Sequence, residues 1–301
     1  MNKVRIIGVV GILCALIVVL FAMGRKEAEA PSKAGVMNVT ASFYPLAFLA
    51  EQVGGDMVHV TNITPAGAEP HEYEPTPHDM AAIEDSRVLI LNGLGLEPWG
   101  KNVVKNIDSK KTIVLSAGDD LDVMHAGDPH IWLSPSLMQN LAERIEASFR
   151  EADPKNEAIY LKNLLALKDR IRALDDEYRT GLANCRLRSI VTSHEAFGYL
   201  AGDYGLTEIP IAGLSPDTEP SPTQLAEITR SVKENGSGYI FFESLSSPKL
   251  AETLARETGT KTMVLNPLEG LTPEEIAAKK DYLTEMRSNL ANLQIALQCQ
   301  K

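Results

Sequence analysis

Apolar residues along this chain fall into two rhythms. Short runs that are apolar almost throughout occupy residues 39–43, 58–63, 88–91, 112–115, 189–192, 208–211, 239–242 and 261–265. Strands buried on both faces of a parallel sheet need such runs. Between them lie stretches with apolar residues three and four apart, the spacing of helices that cover a sheet. The alternation predicts βαβ units and an α/β fold, with mostly parallel sheets flanked by helices.

A long helical block separates the first four strands from the last four. Pro135 after Ser134 marks a helix start, and Leu141, Ile145 and Phe149 follow at spacing four. After Asp153-Pro154 a second stripe runs through Tyr160, Leu164, Leu167, Ile171, Leu174 and Tyr178. From residue 154 to 185 it predicts a helix of about 45 Å at ~1.5 Å per residue, a rigid spine between two lobes. Ser221-Pro222 with Gln224, and Thr272-Pro273 with Glu275, read as capping boxes with proline in the first turn. Leu283, Met286, Leu290, Leu293 and Leu297 mark the inner face of a last helix. The expected organisation is one lobe over 38–150, the connecting helix over 151–185 and a second lobe over 186–301.

The beginning of the chain has a different character. Lys3 and Arg5 precede an almost unbroken apolar stretch over residues 6–24, which reads as an export signal. At roughly 19 residues it also suffices as an anchor, so cleaved and anchored forms both stay open for 1–24. Arg25, not cysteine, follows the apolar run, and Cys14 lies inside it behind Leu13, where a lipoprotein signal would want a small residue. Residues 25–37 are small, charged and Pro/Gly-containing, as in a tether. The expected location is outside the cytoplasmic membrane, in the periplasm or anchored on its outer side.

Charge narrows the partners. The whole chain of 301 residues is 44% apolar and carries a net −11, and four basic and two acidic residues lie in the first 30, so the remainder carries −13. That balance argues against nucleic acid and against broad contact with anionic lipid, and gives a weak long-range attraction for cations. Two cysteines, Cys185 and Cys299, remain beyond the signal. In an oxidising compartment they are compatible with one disulfide or with two buried thiols.

Six histidines are present, at 59, 71, 78, 125, 130 and 194. His59 falls inside a strand, His78 at a helix start, and His125 in a loop with Asp119, Asp120, Asp122 and Asp128. His71, His130 and His194 differ, because each stands where a strand hands over to a loop, the side on which open α/β sheets bind ligands. Imidazoles arriving from three parts of the chain suit a borderline-soft metal such as zinc. Glu269, after the strand that ends in Asn266-Pro267, occupies the same kind of place, although a helix dipole alone also favours an acid there. Glu243 and Asp217 are further carboxylates near strand ends. His194-Glu195 lacks the second histidine of a zincin, since Gly198 stands at that position. No Walker loop, dinucleotide fingerprint or nucleophile elbow is present, so enzyme chemistry has little support.

Several motifs together resemble one family. They are Glu69-Pro70-His71-Glu72-Tyr73-Glu74-Pro75, Asp128-Pro129-His130-Ile131-Trp132-Leu133, Ser193-His194-Glu195-Ala196-Phe197-Gly198-Tyr199-Leu200, Gly213-Leu214-Ser215-Pro216-Asp217, Phe242-Glu243 and Leu265-Asn266-Pro267-Leu268-Glu269. In this order they are similar to the metal-specific solute-binding proteins of bacterial ABC importers, within them the zinc-binding, ZnuA-like group. The resemblance implies two pseudo-symmetric α/β lobes joined by one long helix, with the metal in the cleft between them. It implies His71 and His130 as ligands from the first lobe and His194 and Glu269 from the second. Manganese binders of the family usually have a carboxylate in the third place, so His194 there favours zinc; water can take the fourth place in some relatives. Many zinc-binding relatives carry a long His-rich loop before the second ligand, whereas residues 118–128 here hold only His125 and four aspartates.

The function implied is capture of Zn2+ and delivery to a membrane permease, by a monomer that is not an enzyme. The spine predicts a small shear or loop movement on release. Rival readings are a manganese or iron binder of the same family, a metal-dependent adhesin, and a three-histidine zinc hydrolase.

Overall fold

The structure is a computed structural model that describes residues 35–119, 121, 127–218 and 220–300. The expected signal or anchor at 1–24, most of the expected tether, and His125 with Asp120 and Asp122 lie outside the described residues. Strands β1 (Met37–Ala41), β2 (Val58–Asn62), β3 (Val88–Leu91) and β4 (Ile113–Ser116) form one parallel sheet in the order β2-β1-β3-β4. All four residues of β3 are buried, which explains why its sequence is uniformly apolar rather than alternating. In the later half, β5 (Ser189–Thr192) pairs in parallel with β6 (Thr207–Pro210), and β7 (Tyr239–Phe242) with β8 (Lys261–Val264). These are two separate ladders, with β5 packed beside β7. The expected α/β class holds. Strand β1 begins two residues earlier than its apolar run, because Met37 pairs with Val58. It stops at Ala41, just before helix α1 (Tyr44–Gly54), which carries Pro45 in its first turn.

The helices that follow are α2 (Pro77–Asp85), α3 (Gly100–Val104), α4 (Pro135–Ala152), α5 (Glu157–Leu182), α6 (Gly198–Tyr204), α7 (Pro222–Glu234), α8 (Lys249–Thr258), α9 (Pro273–Ala277) and α10 (Tyr282–Ala296). Ser134 caps α4 by accepting the Leu137 amide, and Ser221 and Thr272 open α7 and α9 with full capping boxes. Helix α5, with 26 residues, is shorter than the expected span of 154–185, about 39 Å at ~1.5 Å per residue. Pro154–Asn156 winds a separate 3-10 turn, whose corner is held by Asp153 accepting from Asn156 Nδ2 at 2.7 Å and the Tyr160 hydroxyl at 2.9 Å.

All six residues of the α5 stripe are buried. They face α1, α4 and α10, and one continuous core runs from β1 through these helices to Leu297. The Tyr178 hydroxyl, deep in that core, donates to the Met286 carbonyl at 2.6 Å. A helix gripped along its length at crystalline packing density is stiff, so α5 fixes the two groups of strands relative to each other. No helix among the described residues is long and apolar enough to cross a membrane.

Beyond α5, Cys185 is joined to Cys299 in a disulfide. The bond ties the last turn of the chain to the segment that enters β5, across a sequence separation of 114. Closing so long a loop removes much freedom from the unfolded chain. Replacing both cysteines by serine is expected to cost ~2–5 kcal/mol, read as a lower urea midpoint that reductant no longer affects. Equal midpoints for oxidised and reduced wild type would refute that contribution.

Candidate metal centre

Four loops at the carboxyl ends of strands bring one side chain each to a single place. His71 lies on the loop from β2 to α2, His130 on the turn from β4 to α4, His194 just after β5, and Glu269 between β8 and α9. One ligand atom from each falls within 4.8 Å of the others. The contacts are tighter than that bound. His130 Nε2 lies 3.3 Å from His71 Nε2 and 3.2 Å from His194 Nε2. Glu269 Oε1 stands 3.3 Å from His71 Nε2, 3.4 Å from His130 Nε2 and 3.3 Å from His194 Nε2. Charge-assisted hydrogen bonds are shorter, about 2.7–2.9 Å. A regular tetrahedron with such edges, in contrast, has its centre roughly 2.0 Å from each corner, the Zn–N and Zn–O bond length.

The ring tautomers follow from the opposite nitrogens. His130 Nδ1 meets Asp128 Oδ1 at 2.7 Å, and His194 Nδ1 meets Glu243 Oε1 at 2.7 Å. A carboxylate only accepts, so each Nδ1 carries the hydrogen and each neutral ring aims a lone pair from Nε2 into the cluster. Glu243 therefore orients His194 and is not itself in the cluster, and Asp217 is exposed. His59 and His78 are exposed as well. The orienting roles of Asp128 and Glu243 were not legible beforehand. Their only signal was an acid two residues before His130 and another ending the apolar strand β7.

The loops are held as firmly as the rings. Asn92 Nδ2 donates to the Pro129 carbonyl at 2.9 Å, and the Tyr199 hydroxyl to the Asp128 carbonyl at 2.9 Å. Trp132, fully buried, donates from Nε1 to the Pro267 carbonyl at 2.7 Å and accepts on its own carbonyl from the Tyr282 hydroxyl at 2.6 Å. One indole thus fastens the His130 turn to the Glu269 loop. In that loop Leu268 is left-handed at φ 59°. Asn289 grips the stretch before it, accepting from Asn266 N at 2.9 Å and donating to Asn266 O at 2.7 Å.

Burial and charge act against each other here. His130, His194 and Glu269 are buried to within 1% of full enclosure, whereas the His71 side chain keeps 10% of its exposure. Burial alone would favour neutral rings, but Asp128, Glu243 and Glu269 outweigh it and hold His130 above, and His194 well above, the usual imidazole range. Burial likewise opposes the Glu269 anion, yet the three imidazoles pull it well below the carboxylate range. Beside it, burial and then the charge of Glu269 push the Glu69 carboxyl up to about 9. A hollow of about 480 Å³ is lined by Glu69 and Ser193 from two of these loops and by the exposed acids Glu72 and Asp217.

Comparison with known proteins supplies the family. A family model described as the periplasmic component A of the zinc-uptake complex, ZnuA, matches residues 39–296. The chain belongs to the ZnuA family. It is 36% identical over 302 residues to the high-affinity zinc uptake system protein ZnuA of Bacillus subtilis, covering 94% of this chain and 95% of that one. It is 38% identical over 299 residues to the zinc-binding lipoprotein AdcA of Streptococcus pneumoniae serotype 4, covering 93% of this chain but 58% of AdcA. The chain thus spans little more than half of that relative. Among solved structures, the Zn(II)-bound ZnuA-like domain of S. pneumoniae AdcA superposes with a TM-score of 0.79 at 40% identity, covering 87% of this chain and 99% of that one. The laminin-binding protein Lmb of Streptococcus agalactiae, described as having adhesin and metal transporting activity, gives 0.80 at 36% identity over 87% and 99%.

These shifts set how a metal-free ZnuA-family site responds to pH. Groups with raised folded values, His130 and His194, stabilise the fold fully below the ordinary imidazole value near ~6.5 and lose that contribution as pH rises through the raised values. Glu269, with a lowered value, contributes above the carboxylate range and loses its effect only in acid. With chelator present, thermal stability should therefore fall as pH rises from about 6.5 through the raised values of the two imidazoles. A His130→Gln/His194→Gln double variant should show a flatter slope. An unchanged slope in the double variant would assign the pH dependence to other groups.

Proposed function

We propose that this protein captures Zn2+ outside the cytoplasmic membrane and delivers it to the permease of an ABC importer, with His71, His130, His194 and Glu269 as the metal ligands. The observation that carries the reading is the tetrahedron of three imidazole nitrogens and one carboxylate oxygen, five of whose edges are 3.2–3.4 Å. Three nitrogen donors and one oxygen suit zinc, whereas manganese and magnesium prefer more oxygen ligands in larger shells. The hydrolase reading is disfavoured because Glu269 fills the fourth position that a catalytic zinc keeps open for water. We read the chain as a monomer with lobes over 38–150 and 186–301 about the connecting segment 151–185, most of which is α5, exported and held near its permease.

Capture follows from the exposed acids Glu72 and Asp217 that line the hollow and from His71, the one ligand with a solvent-facing edge. Protection follows from burial of the other three. Because protons compete with the metal for Nε2 lone pairs, zinc affinity should rise with pH, opposite in sign to metal-free stability. Lmb, which combines adhesin and transport activities, makes host attachment an additional reading for an outer surface of this fold.

Stoichiometric zinc should co-purify with the exported protein and resist displacement by manganese. His194→Ala should weaken zinc binding by more than about 100-fold, beyond the usual cost of losing an outer-shell partner. A protein that prefers manganese in a competitive titration, or a His194→Ala variant with wild-type affinity, would overturn the assignment. Since α5 is packed along its length, metal-free and zinc-loaded forms should have nearly equal radii of gyration by X-ray scattering. A large change would replace the small loop movement with lobe closure.

A further inference from the structure

We propose that Glu208 is a positioning residue for His194, closing with one carboxylate oxygen the loop that carries this imidazole. The proposal rests on His194 being a ligand. The loop runs from Thr192, the last residue of β5, to Phe197, the residue that caps α6. Glu208 sits on the paired strand β6, in register with Ile190. Its Oε1 accepts from the Thr192 hydroxyl at 2.8 Å and from the Phe197 backbone N–H at 3.1 Å. Both ends of the 193–196 loop therefore meet on a single atom.

The other contacts of the loop leave this task open. Ser193 Oγ donates to Phe241 O at 3.1 Å, Ala212 N to Ser193 O at 2.8 Å, and Glu195 N to Gly213 O at 2.9 Å. These bonds attach the loop to its neighbours one residue at a time, and none joins its entry to its exit. Glu243 sets the rotation of the His194 ring from β7, but a ring hinged on a shifting backbone would still miss a centre that tolerates a few tenths of an ångström. The carboxyl is mostly buried, and burial pushes it up to about 7 despite the two donors. An ionisable group is held there at a cost although it touches no ligand atom. A loop closure shared by two donors accounts for its position.

Because both bonds land on one oxygen, glutamine can replace glutamate with the closure intact, and alanine cannot. The test uses the full chain, with Co2+ as the probe of coordination geometry and Zn2+ for affinity, on wild type, Glu208→Gln, Glu208→Ala, Thr192→Val and His194→Ala. Glu208→Gln should keep the intense visible bands of tetrahedral Co2+ and an affinity close to wild type. Glu208→Ala should unfold cooperatively in urea yet lose about 10- to 100-fold in zinc affinity, with altered Co2+ bands. Thr192→Val, which removes one of the two donors, should move in the same direction by a smaller factor, and it carries the test if the alanine variant does not fold. Wild-type spectra and affinity in the alanine and valine variants would overturn the positioning role, as would a glutamine variant as weak as alanine. A His194→Ala variant with unchanged Co2+ bands would instead overturn the ligand set on which the role depends.

Discussion

Three imidazole lone pairs and a carboxylate oxygen, aimed at one another from 3.2–3.4 Å in a buried place, repel unless positive charge sits among them. Most other features of the fold answer to that constraint. Without a metal the charge comes from protons, which is why His130 and His194 titrate high and Glu269 low. A divalent cation supplies the same charge at one point and releases those protons. The site is therefore a competition between protons and metal inside a geometry that does not itself relax.

The geometry resists relaxation because two of the rings and the loops of His130 and Glu269 are held from outside the cluster. Asp128 and Glu243 set two ring tautomers and their rotation. Asn92, Asn289 and the indole of Trp132 hold the backbone from which the donors project. Trp132 also links the turn of His130 to the loop of Glu269, so the early and late parts of the chain meet at the site as well as through α5. Orienting partners of this kind typically change metal affinity by 10–100-fold, comparable to a sizeable part of a ligand's own effect. His71 is the exception in exposure, and Glu69 and Glu72 on either side of it in the chain line the hollow. That asymmetry gives a buried site a side from which an ion can enter.

The strands were legible because a parallel strand buried on both faces must be apolar throughout, and β3, β5 and β7 fall on their apolar runs. Helix caps were equally clear, since Ser221 and Thr272 satisfy amides within their own first turn. The length of α5 was overread, because the stripe from Tyr160 to Tyr178 marks the buried face and not the ends, and Pro154–Asn156 winds a separate 3-10 turn. Pairing of the later strands into two ladders was likewise outside what alternation of elements can express. The four residues of the cluster stood out because each lies in a loop that follows the carboxyl end of a strand. The residues that hold them did not, because an acid or an asparagine in a loop has many local explanations.

By itself, the sequence determined the local and periodic features of this protein: which segments extend, which coil, where helices start, and which side chains have metal-binding chemistry. Those follow from interactions within a few residues of the chain. Only the tertiary structure decided that Nε2 of His71, His130 and His194 meets Oε1 of Glu269, that Glu243 turns its hydrogen-bonding edge to Nδ1 and not to the metal position, and that Cys185 reaches Cys299. Each joins residues tens to hundreds of positions apart. Their distances are set by how the sheets and α5 pack, and packing is a property of the whole core that no local pattern carries.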